Sequence, residues 1–396
     1  LTIISHFDKN LAHAGFLFCH FFTYGYLVFV GLFFKWGGVK YVNMKKTIIW
    51  IVVIIALILC IFLGLKNKDD GSLKIGAVLP MTGPSAIYGE FISKGMKLAL
   101  SEIKDNKIKL IIEDTQANPS FGVSAYQKVV NENSKVVVSA FSGVSVPLTK
   151  IALQNKIPLI MTIVAGAGVT DDYSYRYYAK PEEYANPAFF DAISPIKNSG
   201  DIAVLYRNDE YGNSVKKVIE DLSKQTGHNI LAEENYLPDT KDFKTQLTKI
   251  KASHPKALVF LAANQGEATT IIKDANELGL DTDIIEASAN LANLNSLADL
   301  PAGKVYYSTN FSYLQDGGYV KFKDKYKAMY NQEPYFAASL GYDIVKLIVG
   351  CAYNTNGMSI NACLDGTKSV DGVTGKIDNI TNHEINPPMQ LVKITR

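Results

Sequence analysis

The chain has 396 residues, more than one hydrophobic core usually serves, so two lobes or domains are the starting expectation. Charged residues make up 20% and hydrophobic residues 47%, which excludes a chain disordered throughout. The net charge is +2 and no long basic run occurs, so nothing asks for a nucleic-acid partner.

Residues 1–43 open on Leu1 and carry an aromatic-rich apolar stretch over 11–34, broken by His13 and His20. They read as a translated leader ahead of a start at Met44, or else as a second apolar segment. Residues 44–71 read as a membrane anchor and linker. Met44-Lys45-Lys46 precedes the uncharged run 47–65, which is long enough to cross a bilayer as a helix. The run is long for a cleaved signal, and no Ala-x-Ala-like site closes it. Lys45 and Lys46 then stay on the cytoplasmic side, and the soluble part is extracytoplasmic on a single-pass anchor.

From Leu73 onward, apolar strand-like runs alternate with helix-like ones. Strands are expected at 73–79, 108–112, 136–138 and 157–161, with helices over 88–104, 121–131 and 147–154 between and around them. Alternation at Tyr173, Tyr175, Tyr177 and Tyr178 suggests an edge strand. The pattern restarts with strands at 201–206, 229–236, 257–261, 284–285 and 305–307, interleaved with helices over 211–225, from 242, and over 267–278. In the helix from 242, Phe243, Leu247 and Ile250 form one buried stripe. Helices over 319–330 and 335–349 follow, then strand-like pieces at 372–378 and 389–394. The fold class is therefore α/β: two doubly wound lobes with mostly parallel sheets, plus an N-terminal membrane helix. Cys351 and Cys363 are the two cysteines of the soluble part; a disulfide and two buried free thiols both remain open.

The motifs carried by this framework resemble a family. Ile75-Gly76-Ala77-Val78-Leu79-Pro80-Met81-Thr82-Gly83-Pro84 with Tyr88-Gly89, Glu113-Asp114 with Asn118-Pro119, and Ser139-Ala140-Phe141-Ser142-Gly143 come first. Asn208-Asp209-Glu210-Tyr211-Gly212, Asp242-Phe243, Tyr342-Asp343 and Gly372-Val373-Thr374-Gly375-Lys376-Ile377 follow in order. Together they resemble the leucine/isoleucine/valine-binding branch of ABC-transporter solute-binding proteins, over about 320 residues. The resemblance implies a type I periplasmic binding protein fold whose lobes are joined by three crossovers, placed near 193–200, 309–316 and 367–374. Lobe one is then 72–194 with 315–370, and lobe two 195–314 with 371–396. The partners implied are a small polar ligand, such as an amino acid or an amide, and ABC permease subunits. No cofactor and no catalysis are implied, and a ligand-sensing ectodomain of the same fold is the alternative role.

The resemblance also marks ligand-binding positions. Tyr88 covers the ligand from lobe one, Ser142 holds a carboxylate, and Tyr211 faces the site from lobe two. Val164, Ala165 and Gly166 occupy the loop that carries a backbone carbonyl and a threonine in the family; here the threonine position falls on Gly166. Asn264 stands where an aromatic is frequent. Around Ser288 the usual acidic partner for an ammonium is not evident, Glu286 lying early. These departures argue against simply assigning leucine. Gly166-Ala167-Gly168 is only a fragment of a dinucleotide fingerprint, Gly372–Ile377 lacks the outer glycine of a phosphate loop, and His228, His254 and His383 have no metal-ligand spacing.

Overall fold

The computed structural model describes residues 51–55, 71–166, 168–184, 200–288, 305–311, 316–353, 358–378 and 380–395. The chain divides into two compact units, Leu1–Lys68 and Asp69–Arg396. In the first unit, residues 51–55 are helical; the rest of the 47–65 run and all of 1–43 lie outside the described residues.

The second unit opens with β1 (Leu73–Leu79), α1 (Ala86–Ile103), β2 (Ile108–Asp114), α2 (Pro119–Asn131), β3 (Val136–Ala140), α3 (Ser142–Asn155), β4 (Leu159–Thr162) and β5 (Ser174–Tyr177). A second series follows: β6 (Asp201–Arg207), α4 (Glu210–Thr226), β7 (Asn229–Tyr236), α5 (Lys244–Ala252), β8 (Ala257–Phe260), α6 (Gln265–Glu277), β9 (Asp283–Glu286) and β10 (Val305–Phe311). The remainder is α7 (Gly317–Tyr330), α8 (Phe336–Tyr353), α9 (Ile360–Gly366), β11 (Val370–Gly372), β12 (Gly375–Ile377), β13 (Glu384–Ile385) and β14 (Met389–Thr395).

Two six-stranded sheets form, ordered β13-β5-β4-β3-β1-β2 and β14-β10-β9-β8-β6-β7. All neighbours in both are parallel except β10 with β14. The two sheets repeat one winding, in which the strand order reverses between β1 and β3 in one lobe and between β6 and β8 in the other. Such reversal points open a crevice beyond the carboxyl ends of the strands.

The strands form because both of their faces are covered. β3, β4, β5 and β8 are buried throughout. Alternate residues go to opposite faces: Val136 and Val138 join the cluster that runs through both lobes, whereas Val137 joins the one under α2 and α3. α8 is apolar and long enough to span a membrane by length and composition, but 72% of it is buried inside the protein, as in a core helix.

Three expectations need correction. β5 is not an edge strand; it lies between β4 and β13. α3 begins at Ser142, not near 147, with Pro147 inside it. The third crossover is not at 367–374. β11 and β12 form a hairpin whose turn binds Asp343 of α8, and β13 then pairs with β5, so residues 371–385 belong with lobe one. The chain changes sheet between β13 and β14, at 386–388, where Pro387-Pro388 cannot donate to a ladder. The expected crossover at 193–200 lies outside the described residues except for Gly200, and that at 309–316 lies partly outside them.

Candidate ligand site between the lobes

The loops after the strands that flank the two reversal points meet around one cavity of about 110 Å3. Tyr88, after β1, and Phe141, Ser142 and Gly143, after β3, line it from lobe one. Arg207, Asp209 and Tyr211, after β6, and Ala262 and Ala263, after β8, line it from lobe two. Ser288 follows β9, and Tyr178 and Phe336 complete the wall. The Tyr88 hydroxyl donates across the cleft to the Ala263 carbonyl at 3.2 Å.

Backbone strain concentrates here. Phe141, Ile163 and Ala117 all line the cavity with positive φ, at 73°, 53° and 56°. For a β-branched residue such as Ile163 this is a genuine outlier. Each such residue costs of the order of 1–3 kcal/mol and persists only where its surroundings impose it. At Phe141 the effect is to turn the chain directly from β3 into α3, so that the helix starts on the cavity wall. The amides of Ser142 and Gly143 are at a helix N-terminus, where no preceding turn offers acceptors. The Ser142 hydroxyl accepts from the Ala165 N–H at 3.1 Å, which leaves its proton to point elsewhere. This is a favourable place for an anion.

The walls are aromatic. Tyr88 packs edge-on against Phe141, Tyr335 and Phe336 at centroid distances of 5.3, 5.6 and 6.2 Å. Tyr178 packs on Phe311 and Phe336 at 5.6 and 6.4 Å. Burial holds the phenols of Tyr88, Tyr211 and Tyr335 protonated far above their usual range, and the negative charge of Glu286 adds to this in all three.

Lobe two supplies charge. Arg207 pairs with Asp209 at 2.7 Å and with Glu267 at 3.0 Å. Asp209 also caps α4, accepting from the Gly212 N–H at 2.9 Å. Glu267 accepts from the Ala263 N–H at 2.9 Å and the Tyr236 hydroxyl at 3.0 Å. Glu286, the last residue of β9, is fully buried, and it accepts from the hydroxyls of Ser288 and Ser308.

Of the positions marked in the sequence, Tyr88, Ser142, Tyr211 and Ser288 come together on this cavity. The others do not. The carbonyls of Val164 and Gly166 both accept from the Arg176 guanidinium, itself paired with Glu384 at 2.6 Å, so they serve to clamp their own loop. Ala165 acts through its bond to Ser142. Asn264 is the N-cap of α6, its side chain accepting from the Glu267 N–H at 3.0 Å. Missed in the sequence were Phe141, Tyr178, Phe336, Arg207 and Asp209. Glu286 ends β9 and does not itself line the cavity; Ser288, which does, donates to it. Cys351 and Cys363 are joined as a disulfide with Cα atoms 5.4 Å apart, remote in sequence from every cavity residue but those of α8. Among the described residues, no group of three or more His, Cys, Asp or Glu side chains could hold a metal ion.

The sequence model of the periplasmic binding protein family matches residues 72–396. The chain belongs to that family. The Leu/Ile/Val-binding protein homolog 7 of Brucella suis is 24% identical over 349 residues, 82% of this chain and 87% of the relative. Homolog 3 of Brucella melitensis is 23% identical over 227 residues, 55% of this chain; that match spans only 61% of the relative's length. Among solved structures, the branched-chain amino acid transporter substrate binding protein LivJ from Streptococcus pneumoniae, in complex with isoleucine, has a TM-score of 0.71 at 24% identity. The match covers 82% of this chain and 96% of that one. A solute binding protein of an ABC transporter from Rhodopseudomonas palustris, in complex with 3,4-dihydroxy benzoic acid, has a TM-score of 0.73 at 22% identity, covering 83% and 94%. At these identities the likeness is one of fold, and the two solved proteins hold chemically different solutes.

Proposed function

We propose that this periplasmic binding protein is the solute-binding subunit of an ABC importer, and that it captures a small carboxylate-bearing solute of the amino-acid class without transforming it. The observation that carries the reading is the start of α3 on the cavity wall. There the Ser142 hydroxyl and the first amides of the helix converge on a pocket walled by aromatic rings. A carboxylate at such a terminus is stabilised by the oriented N–H groups and the helix dipole. Tyr88 and Tyr211, on opposite lobes, enclose the remainder of the solute, and closure is a hinge motion. The run 47–65 anchors the subunit in the membrane, where permease subunits receive the solute.

Isothermal titration calorimetry of the full chain in detergent tests this. Matched pairs of a carboxylate and its carboxamide, isoleucine with isoleucinamide and benzoate with benzamide, are compared. The acid of at least one pair should bind ten-fold or more tightly than its amide, and Ser142→Ala should weaken the acid by about 1 kcal/mol, roughly five-fold. Equal affinity of acid and amide in every pair would sink the carboxylate reading.

A further inference from the structure

We infer that the cationic end of the solute is a quaternary ammonium, so that the ligand is a compact N-methylated zwitterion of the trimethylglycine type and not a primary amino acid. This rests on the carboxylate reading above and deepens it. Three observations meet. First, the cavity presents rings from both lobes, Tyr88, Phe141, Tyr178 and Phe336 from lobe one and Tyr211 from lobe two. The π-faces of such rings attract a cation, and cages of them suit methylated ammonium groups in particular.

Second, the lobe-two wall is anionic, and among the described residues each carboxylate oxygen of Asp209, Glu267 and Glu286 already accepts from at least one donor, so an added N–H must compete with the donors in place. Asp209 and Glu267 share the guanidinium of Arg207, and Glu286 is fully buried with Ser288 and Ser308 as its donors. Both oxygens of Asp209 are engaged, by Gly212 and Arg207. Those of Glu267 are engaged by Arg207, Ala263 and Tyr236, and those of Glu286 by Ser288 and Ser308. A primary ammonium entering the cavity brings three N–H donors that must exchange water for acceptors. A quaternary ammonium brings none, and it still feels the excess negative charge through the rings and through the Ser288 side chain that covers Glu286.

Third, the space is small. An engineered apolar cavity of about 150 Å3 accommodates benzene, with six heavy atoms; about 110 Å3 therefore restricts the solute to a compact one, and trimethylglycine, with eight, is held with the lobes slightly more open.

The test is calorimetric titration of the full chain in detergent with glycine and trimethylglycine, proline and N,N-dimethylproline, isoleucine and benzoate. In each methylated pair the quaternary form should bind at least ten-fold tighter. Tyr178→Phe should keep that preference and Tyr178→Leu should lose most of it. Glu286→Gln should reduce trimethylglycine affinity ten-fold or more, with an unfolding midpoint that shows the variant still folded. Equal or tighter binding of the unmethylated partner overturns the inference. If isoleucine or benzoate binds and no quaternary compound does, this inference fails while the carboxylate reading stands. If no carboxylate binds at all, both fall.

Discussion

At the scale of single residues, Asp343 shows how a buried charge holds a turn. It lies on α8, 3% exposed, and accepts from the Val373 N–H at 3.0 Å, the Thr374 N–H at 2.7 Å and the Thr374 hydroxyl at 2.6 Å. Gly372 is glycine because a Cβ there would fall within 2.4 Å of this carboxylate. Desolvation raises the Asp343 pKa above 3.8, outweighing the hydrogen bonds from Thr374, Val373 and Tyr177 that pull it down. The folded state therefore holds this proton to higher pH than the unfolded chain does. The corresponding stability is fully present below pH 3.8 and is lost as pH rises through the folded-state value. Asp343→Asn should accordingly lose this component of the pH dependence. Plotted against the variant, wild-type stability should fall as pH rises above 3.8, measured by urea denaturation across that range; parallel curves would refute the assignment. In the sequence this role is not legible, since nothing in Tyr342-Asp343 itself says that a turn thirty residues on completes its environment. The surroundings of Glu286 are illegible in the sequence for the same reason: its donors are Ser288, two residues away, and Ser308 on another strand.

Among elements, the closest packing is between α1 and α8. A Cβ at Gly95 would lie 1.8 Å from the Ala338 carbonyl oxygen, and one at Gly341 would lie 2.3 Å from that of Ile92. The two helices thus touch backbone to backbone at both places, which lets Tyr335, just before α8, and Phe336, its first residue, pack against Tyr88. Gly95→Ala gains about 1 kcal/mol of helix propensity. It must also push the helices apart, and overpacking of this kind costs typically 1–3 kcal/mol, occasionally more. With backbone as the obstacle the clash should win. The variant should be destabilised by roughly 2 kcal/mol in chemical denaturation, and Gly95→Ala with Gly341→Ala should cost less than the two separately, because one separation relieves both. Strict additivity would mean the contacts relax independently. Most elements were legible because fully buried parallel strands are short apolar runs and their helices carry an apolar stripe. What escaped were pieces too short or polar to show a period: the two-residue β13, the hairpin of β11 and β12, and the start of α3, where Phe141 takes a left-handed conformation that no side-chain pattern announces.

For the whole molecule, the way the chain shuttles between sheets limits the motion available. Lobe one is built from β1 to β5, then from α7 through β13; lobe two from β6 to β10, then from β14. Neither lobe is a continuous stretch, so the lobes cannot separate freely, and the hinge motion proposed above is a rotation of one against the other. One apolar cluster runs from Ile92 and Tyr88 of lobe one to Ile202, Val259 and Phe311 of lobe two. At the rim, the bond from the Tyr88 hydroxyl to the Ala263 carbonyl exists only while the lobes are together. Tyr88→Phe keeps the ring packing against Phe141 and Phe336 and removes this bond, worth about 1 kcal/mol, together with the hydroxyl's hydrogen bond to Tyr335 within lobe one. The balance between closed and open forms should then shift roughly five-fold toward open, and apparent ligand affinity should fall by a similar factor, because a solute that binds across the cleft must make good the difference. In small-angle X-ray scattering the ligand-free variant should have a larger radius of gyration than the ligand-free wild type. The two should converge at saturating ligand, since the solute as proposed above bridges Ser142 and Tyr211 whichever residue stands at 88. A variant that is as compact as wild type without ligand, and that binds it equally well, would show that Tyr88 serves only to wall the cavity and that closure is governed by contacts elsewhere.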